Sequence, residues 1–184
     1  MTNLDLIDQG LGWTAARIAN VSPNALDAPT PCGLWALRDL LDHTLGVLTT
    51  ITEALEAAGA GSAAATDCGS GSAPWADAIA DLAARNRVAW VAPGIMDRTF
   101  ELPFGTMPAP VLASVTLLEG VVHGWDIGQS TGERVAIPEE FAGAVLAFAR
   151  PALADMDRAD NFAADLGVGD TLSDQLVAFL GRKP

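Results

Sequence analysis

Apolar side chains recur every three or four positions along most of the chain, and that spacing restricts the fold more than any other feature. In the first stretch Leu4, Ile7, Leu11, Ala15 and Ile18 follow the helical period from about Asn3, a plausible N-cap, to Asn20. Ser22-Pro23 and Pro29-Thr30-Pro31 then break it. A second helix is expected from about Gly33 to Ala58, with Leu37, Leu41, Leu45, Leu48 and Leu55 on one stripe. A third is expected from Pro74 to Trp90, where Pro74 suits a first-turn position. The fourth, from Ala109 to about Thr131, is the most apolar, and Gly132 is its natural stop. A fifth begins at Pro138-Glu139-Glu140, with acids where the helix dipole favours them, and runs to about Met156. A short closing helix covers about Leu172 to Leu180. The irregular stretch from Pro93 to Pro110 holds a short extended segment and a turn, around residues 98–105.

Composition agrees with helices. Half of the residues are hydrophobic, only 6% are aromatic and tyrosine is absent, whereas a β-sandwich would call for more aromatic and β-branched side chains. The expected fold is therefore all-α: a four-helix bundle with a short C-terminal tail helix and an irregular segment before the fourth helix. Its 184 residues suit one domain spanning 1–184, and residues 59–74, rich in glycine, serine and alanine, read as a mobile surface loop.

The charge narrows the partners. Ten basic side chains face 23 acidic ones, for a formal charge of −13, and the longest basic run is Arg182-Lys183. Nucleic acid and anionic membranes, which need clustered Lys and Arg, are poor partners for such a surface. The N-terminal residues carry acids where a secretory signal needs bases. The apolar run from Val111 to Val122 is interrupted by Glu119 and falls short of the roughly 20 residues that span a bilayer. With only two cysteines, Cys32 and Cys68, a reducing cytoplasm is the expected setting.

Only two histidines are present, and their placement carries the chemistry. On a wheel of the fourth helix, Val111, Val115, Leu118, Val122 and Trp125 gather within about 40°, with Glu119, His123 and Asp126 on the shoulder of that face. Glu119 and His123 stack one turn apart, about 6 Å along the axis, and can share a ligand. His43, at the edge of the apolar stripe of the second helix, offers a third donor. A buried carboxylate needs positive charge beside it, and a divalent cation would satisfy Glu119 and both imidazoles together. An intrahelical hydrogen bond between Glu119 and His123, with His43 a half-buried surface residue, is the plainer alternative. Two histidines, one carboxylate and an open position form a catalytic ligand count for zinc and for non-haem iron. Asp126 reads as a partner of His123 rather than a ligand. Cys32 precedes the second helix by about one turn and is expected to pack under the loop, about three turns along the axis from His43 and too far to share its metal. Arg85 and Arg87 read as a solvated face.

Two motifs carry a family resemblance. Residues 29–48, PTPCGLWALRDLLDHTLGVL, are similar to the start of the metal-binding helix in DinB-like bundle proteins. Residues 117–132, LLEGVVHGWDIGQSTG, resemble the other motif of that superfamily, Glu-x-x-x-His-x-Trp-Asp. The likeness is to the actinobacterial branch that includes the N-terminal domain of mycothiol-dependent maleylpyruvate isomerase. It implies a DinB-like four-helix bundle, a divalent metal (zinc first, nickel second) held by His43, Glu119 and His123, and a tendency to form homodimers. It also implies mycothiol as cosubstrate of a transferase or isomerase acting on a small electrophile. Trp35 and Trp125, which belong to the two motifs, are expected either to wall the pocket or to pack in the core. The alternative is a non-catalytic metal-binding or sensing module, which a fourth protein donor would mark; Asp126 is the nearby candidate. No catalytic residue beyond the metal ligands is assigned.

Overall fold

Among the described residues, the apolar periodicities resolve into six α-helices and one hairpin. A computed structural model describes residues 3–33, 35–59, 74–154, 158 and 162–184. In chain order these form α1 (Asn3–Ala19), α2 (Leu37–Gly59), α3 (Pro74–Trp90), β1 (Thr99–Leu102), β2 (Gly105–Pro108), α4 (Ala109–Thr131), α5 (Glu139–Ala152) and α6 (Leu172–Phe179). The architecture is a helical bundle, as the spacing requires. The glycine- and serine-rich stretch expected as a loop and Cys68 lie outside the described residues, as does Met156; α5 ends short of that expected limit, at Ala152, with Leu153 as its C-cap. No described helix is long and apolar enough to cross a membrane.

Local chemistry explains most boundaries. Pro110 sits in the first turn of α4, where a missing N–H costs nothing, and Gly132 closes the helix in the left-handed region at φ 84°. α6 opens on a reciprocal capping box between Thr171 and Asp174. β1 and β2 pair antiparallel from Thr99 opposite Pro108 to Leu102 opposite Gly105, so the expected extended segment has a partner strand. Phe100, buried on β1, pins the hairpin to the core.

The start of α2 differs from the expected Gly33. Prolines 29 and 31 hold the chain extended, and Ala36 forms an antiparallel bridge with Pro29. Leu37 N–H donates to Ala28 O at 2.9 Å and Arg38 N–H to Leu26 O at 3.0 Å. The segment thus folds back on itself, and α2 begins only at Leu37. Cys32 lies on this loop, ahead of the helix as expected.

α4 is the central element, packed against α1, α2 and α5. The wheel expectation of one apolar face is corrected here. From Thr116 to Gly128 every residue but Glu119 is buried, whichever way it points, while Val111 at the start is 37% exposed. Glycines permit the tight contact with α1. A Cβ on Gly124 would lie 2.6 Å from Thr14 Oγ1 and 2.9 Å from the Trp13 ring, and one on Gly120 would lie 2.8 Å from Leu11 Cδ2. Thr14 Oγ1 uses that proximity, its single O–H shared between Gly120 O at 2.9 Å and Gly10 O at 3.0 Å. This contact fixes the rotation of α4 and so the direction in which Glu119 and His123 point. Arg85 and Arg87 do more than face water. Arg85 grips Glu56 with two N–H groups at 2.9 and 2.8 Å, and Arg87 pairs with Asp8 at 2.7 Å. Each such surface pair is worth about 1 kcal/mol or less.

Candidate metal centre

α2 and α4 bring the three expected residues together. Glu119 Oε2 lies 3.4 Å from His43 Nε2 and 3.4 Å from His123 Nε2. The two imidazole rings meet edge to face with centroids 5.1 Å apart. Among the described residues Glu119 Oε2 is buried and has no partner in hydrogen-bonding geometry, so the 3.4 Å separations are contacts among donor atoms. Two ligand atoms each about 2.05 Å from one tetrahedral ion lie about 3.4 Å apart. One donor atom from each residue lies within 4.8 Å of the others. The donor set, its spacing and the orphaned carboxylate oxygen all fit a divalent cation.

The charges reinforce the fit. Burial alone would raise the Glu119 carboxyl, but the imidazoles of His123 and His43 outweigh it and hold it at about 2. Burial would lower His123, yet Asp126, Cys32 and Glu119 together raise it well above the usual histidine range. Positive charge is thus drawn to the point where the three side chains meet.

The far side of His123 is built differently. Its Nδ1 lies 3.1 Å from Asp126 Oδ2, and a carboxylate can only accept, so Nδ1 carries the proton and Nε2 faces Glu119. Asp126 is fully buried. Arg182, on the segment after α6, donates to Asp126 Oδ1 from Nε and to Oδ2 from Nη2, each at 2.8 Å. Burial raises the Asp126 carboxyl, but Arg182 and then His123 hold it at about 2; Arg182 is correspondingly raised. Cys32 Sγ donates to Asp126 Oδ2 at 3.0 Å, receives Arg182 Nη2 at 3.3 Å, and sits 3.9 Å from His123 Nδ1.

Asp126 is therefore the partner of His123, and Cys32 stands beside the site instead of three turns from it. Cys32, His123 and Asp126 form a second group of donor atoms within 4.8 Å. There the guanidinium of Arg182 already supplies the cation. Sequence reasoning missed Cys32 and Arg182 as neighbours of the site. The Pro-x-Pro break could have signalled that the Cys32 loop folds back toward the site, but no local spacing ties Arg182 to Asp126, 56 positions away.

The triad opens on a pocket of about 1150 Å³. Trp35 stands at its wall, its ring 4.6 Å from that of His43, while Trp125 is 4% exposed and belongs to the core. Leu118 and Val122 line the pocket from α4, and Arg158 and Phe162 line it from the segment before α6.

Comparison with known proteins places this arrangement. Residues 9–128 match the family described as the mycothiol maleylpyruvate isomerase N-terminal domain, a DinB-like family. The chain belongs to this family. The first motif, the Glu-x-x-x-His-x-Trp-Asp run at 119–126 and all three candidate ligands lie within the matched residues, whereas Arg158 and Arg182 lie beyond them. The chain is also 31% identical over 172 residues to uncharacterized proteins of Mycobacterium tuberculosis strains CDC 1551 / Oshkosh and ATCC 25618 / H37Rv, covering 91% of this chain and 91% of each relative. No solved structure gives a significant match.

Proposed function

We propose that this family member is a divalent-metal-dependent enzyme that uses a low-molecular-weight thiol, mycothiol by family membership, to transfer onto or isomerise a small electrophile. The observation that carries the reading is the buried, partnerless Glu119 Oε2 between two imidazole Nε2 atoms at the floor of a large pocket. His43, Glu119 and His123 would hold the ion, with zinc first and nickel second. Such an ion supplies Lewis acidity that favours the thiolate form of a thiol brought to its open position.

The chain's own residues supply the rest. Trp35, Leu118 and Val122 give the thiol an apolar wall that limits water. Arg158 lies in the same pocket with its guanidinium 4.8 Å from the Phe179 ring and 5.8 Å from the Phe162 ring. Its hydrogen-bond partners among the described residues are backbone carbonyls of Ala163 and Phe179, with no carboxylate. An anionic group on the thiol or the electrophile would find its counter-charge there.

The competing reading is a closed, non-catalytic metal module, with Asp126 as fourth protein donor. Asp126 instead sits behind His123 at Nδ1 with both oxygens engaged by Arg182, which favours the catalytic reading. The test uses protein loaded with zinc or nickel, mycothiol and a panel of electrophiles, including cis-configured unsaturated acids. Conjugation or isomerisation should require both metal and thiol and fall at least about 100-fold in His123→Ala. Turnover that is indifferent to metal and thiol would contradict the proposal.

A further inference from the structure

We propose that Arg182 is a positioning residue for the metal centre: it acts through Asp126 to fix His123 with its Nδ1–H turned away from the pocket and Nε2 turned toward Glu119. The inference rests on the metal-binding reading of the triad, and it concerns a residue outside the family-matched segment 9–128.

Asp126 is a fully buried carboxylate on α4. Left alone, it could turn either oxygen toward His123, Cys32 or the backbone, and nothing would hold the ring. Arg182 removes that freedom. Its planar fork takes both oxygens at once, Nε on Oδ1 and Nη2 on Oδ2, each at 2.8 Å, which sets the plane of the carboxylate as a single contact would not. Nη1 of the same guanidinium donates to Leu180 O at 3.2 Å, so the fork is tied to the backbone at the end of α6. Arg182 N–H also donates to Val177 O at 2.8 Å. The fork is thereby referenced to α6 through its own backbone and side chain.

With the carboxylate plane fixed, Oδ2 presents a lone pair to His123 Nδ1 at 3.1 Å. Cys32 Sγ, which donates to the same oxygen at 3.0 Å, fills the space on that side of the ring. The Nδ1 edge of His123 is thus closed by two groups, Asp126 Oδ2 and Cys32 Sγ, and Nε2 is the nitrogen left for the pocket. Partners behind a ligating histidine set its tautomer and ring orientation, and losing one costs about 10- to 100-fold in metal affinity. Here the partner of His123 is itself held by a residue brought in from the end of a different helix.

The experiment reads two quantities on the full chain: the zinc dissociation constant by competition with a chromophoric chelator, and the His123 Nδ1–H proton by NMR, in both metal-free and zinc-loaded protein. Wild type should show one slowly exchanging, low-field imidazole N–H that is absent in His123→Ala. Arg182→Ala should weaken zinc binding by about 10- to 100-fold and lose that protected line, and Arg182→Lys, which keeps the charge without the fork, should recover part of both. Circular dichroism reports whether each variant is folded. If Arg182→Ala does not fold, the same two readings on Arg182→Lys decide. A folded Arg182 variant with wild-type zinc affinity and an intact Nδ1–H line overturns the proposal. Wild type that binds no zinc refutes the metal reading instead, and the Nδ1–H line in metal-free protein still tests the role of Arg182.

Discussion

Glu119→Leu is expected to abolish metal binding while leaving the metal-free fold as stable as wild type or more so. Glu119 Oε2 is a buried acceptor without a partner, and its neighbours on α4, Leu118 and Val122, are apolar and buried. Replacing a buried ionic group by a well-packed apolar side chain of similar volume is commonly neutral or stabilising, by about 1–4 kcal/mol. The gain here belongs at the lower end, because the carboxylate retains partial access to water and His123 loses one of its two acidic neighbours. Glu119→Gln should differ: it keeps the shape, offers only a neutral oxygen, and weakens metal binding with little change in metal-free stability. The core formed by Leu40, Leu41, Leu48, Ile51 and their partners is buried without reference to the triad. Chelation should therefore leave helical content nearly intact and lower the melting temperature by only several degrees. Melting of metal-free and metal-loaded wild type and both variants at one pH checks this. A metal-free Glu119→Leu protein less stable than wild type by more than about 2 kcal/mol would make Glu119 a structural residue.

Asp126→Ala is expected to destabilise the chain by about 3–5 kcal/mol at neutral pH, because it leaves the Arg182 guanidinium buried without its counter-charge. Arg182 is 8% exposed and Asp126 fully buried, so water cannot readily replace the lost partner. In a chain of this length that corresponds to a drop of roughly 6–20 °C in melting temperature. The pH dependence follows from the direction of the shift. Asp126 is held at about 2, below its ordinary 3.8, so its pairing contributes stability that is complete above about 3.8 and is lost as pH falls through about 2. The gap between wild type and Asp126→Ala should therefore narrow on acidification through that window. Urea unfolding at pH 7 and at pH 3 measures both effects. A loss smaller than about 1 kcal/mol at pH 7 would mean that the pair is not held as described.

What could be read from the sequence was whatever local chemistry writes down. α3 and α4 begin and end where expected because Pro74, Pro110 and Gly132 leave little choice. The triad was legible because Glu119 and His123 are one helical turn apart and the only other histidine lies on a neighbouring apolar stripe. α2 was placed four residues early because the periodicity runs back into a segment that folds on itself, from Ala28 to Leu37. Distance to the site was then counted along the helix axis from Cys32 to His43, which hid the contact of Cys32 with Asp126. The wheel of α4 was read as one apolar face because a lone helix must have one. The glycines at 120 and 124, which bring α1 against the supposed outer side, signal packing only once the partner helix is known. Arg182 looked like part of a basic tail. Its pairing with Asp126 spans 56 positions and depends on how α5 and α6 return the chain to α4, which no local pattern encodes.

The central claim is that His43, Glu119 and His123 hold one divalent ion, and elemental analysis of protein purified without a metal-affinity tag tests it most directly. The account predicts about one zinc or nickel per chain in wild type, and loss of most of it in the His43→Ala, His123→Ala double variant, because a single donor no longer chelates. Full metal occupancy in that double variant, or wild type that stays metal-free after incubation with zinc and with nickel, would contradict it.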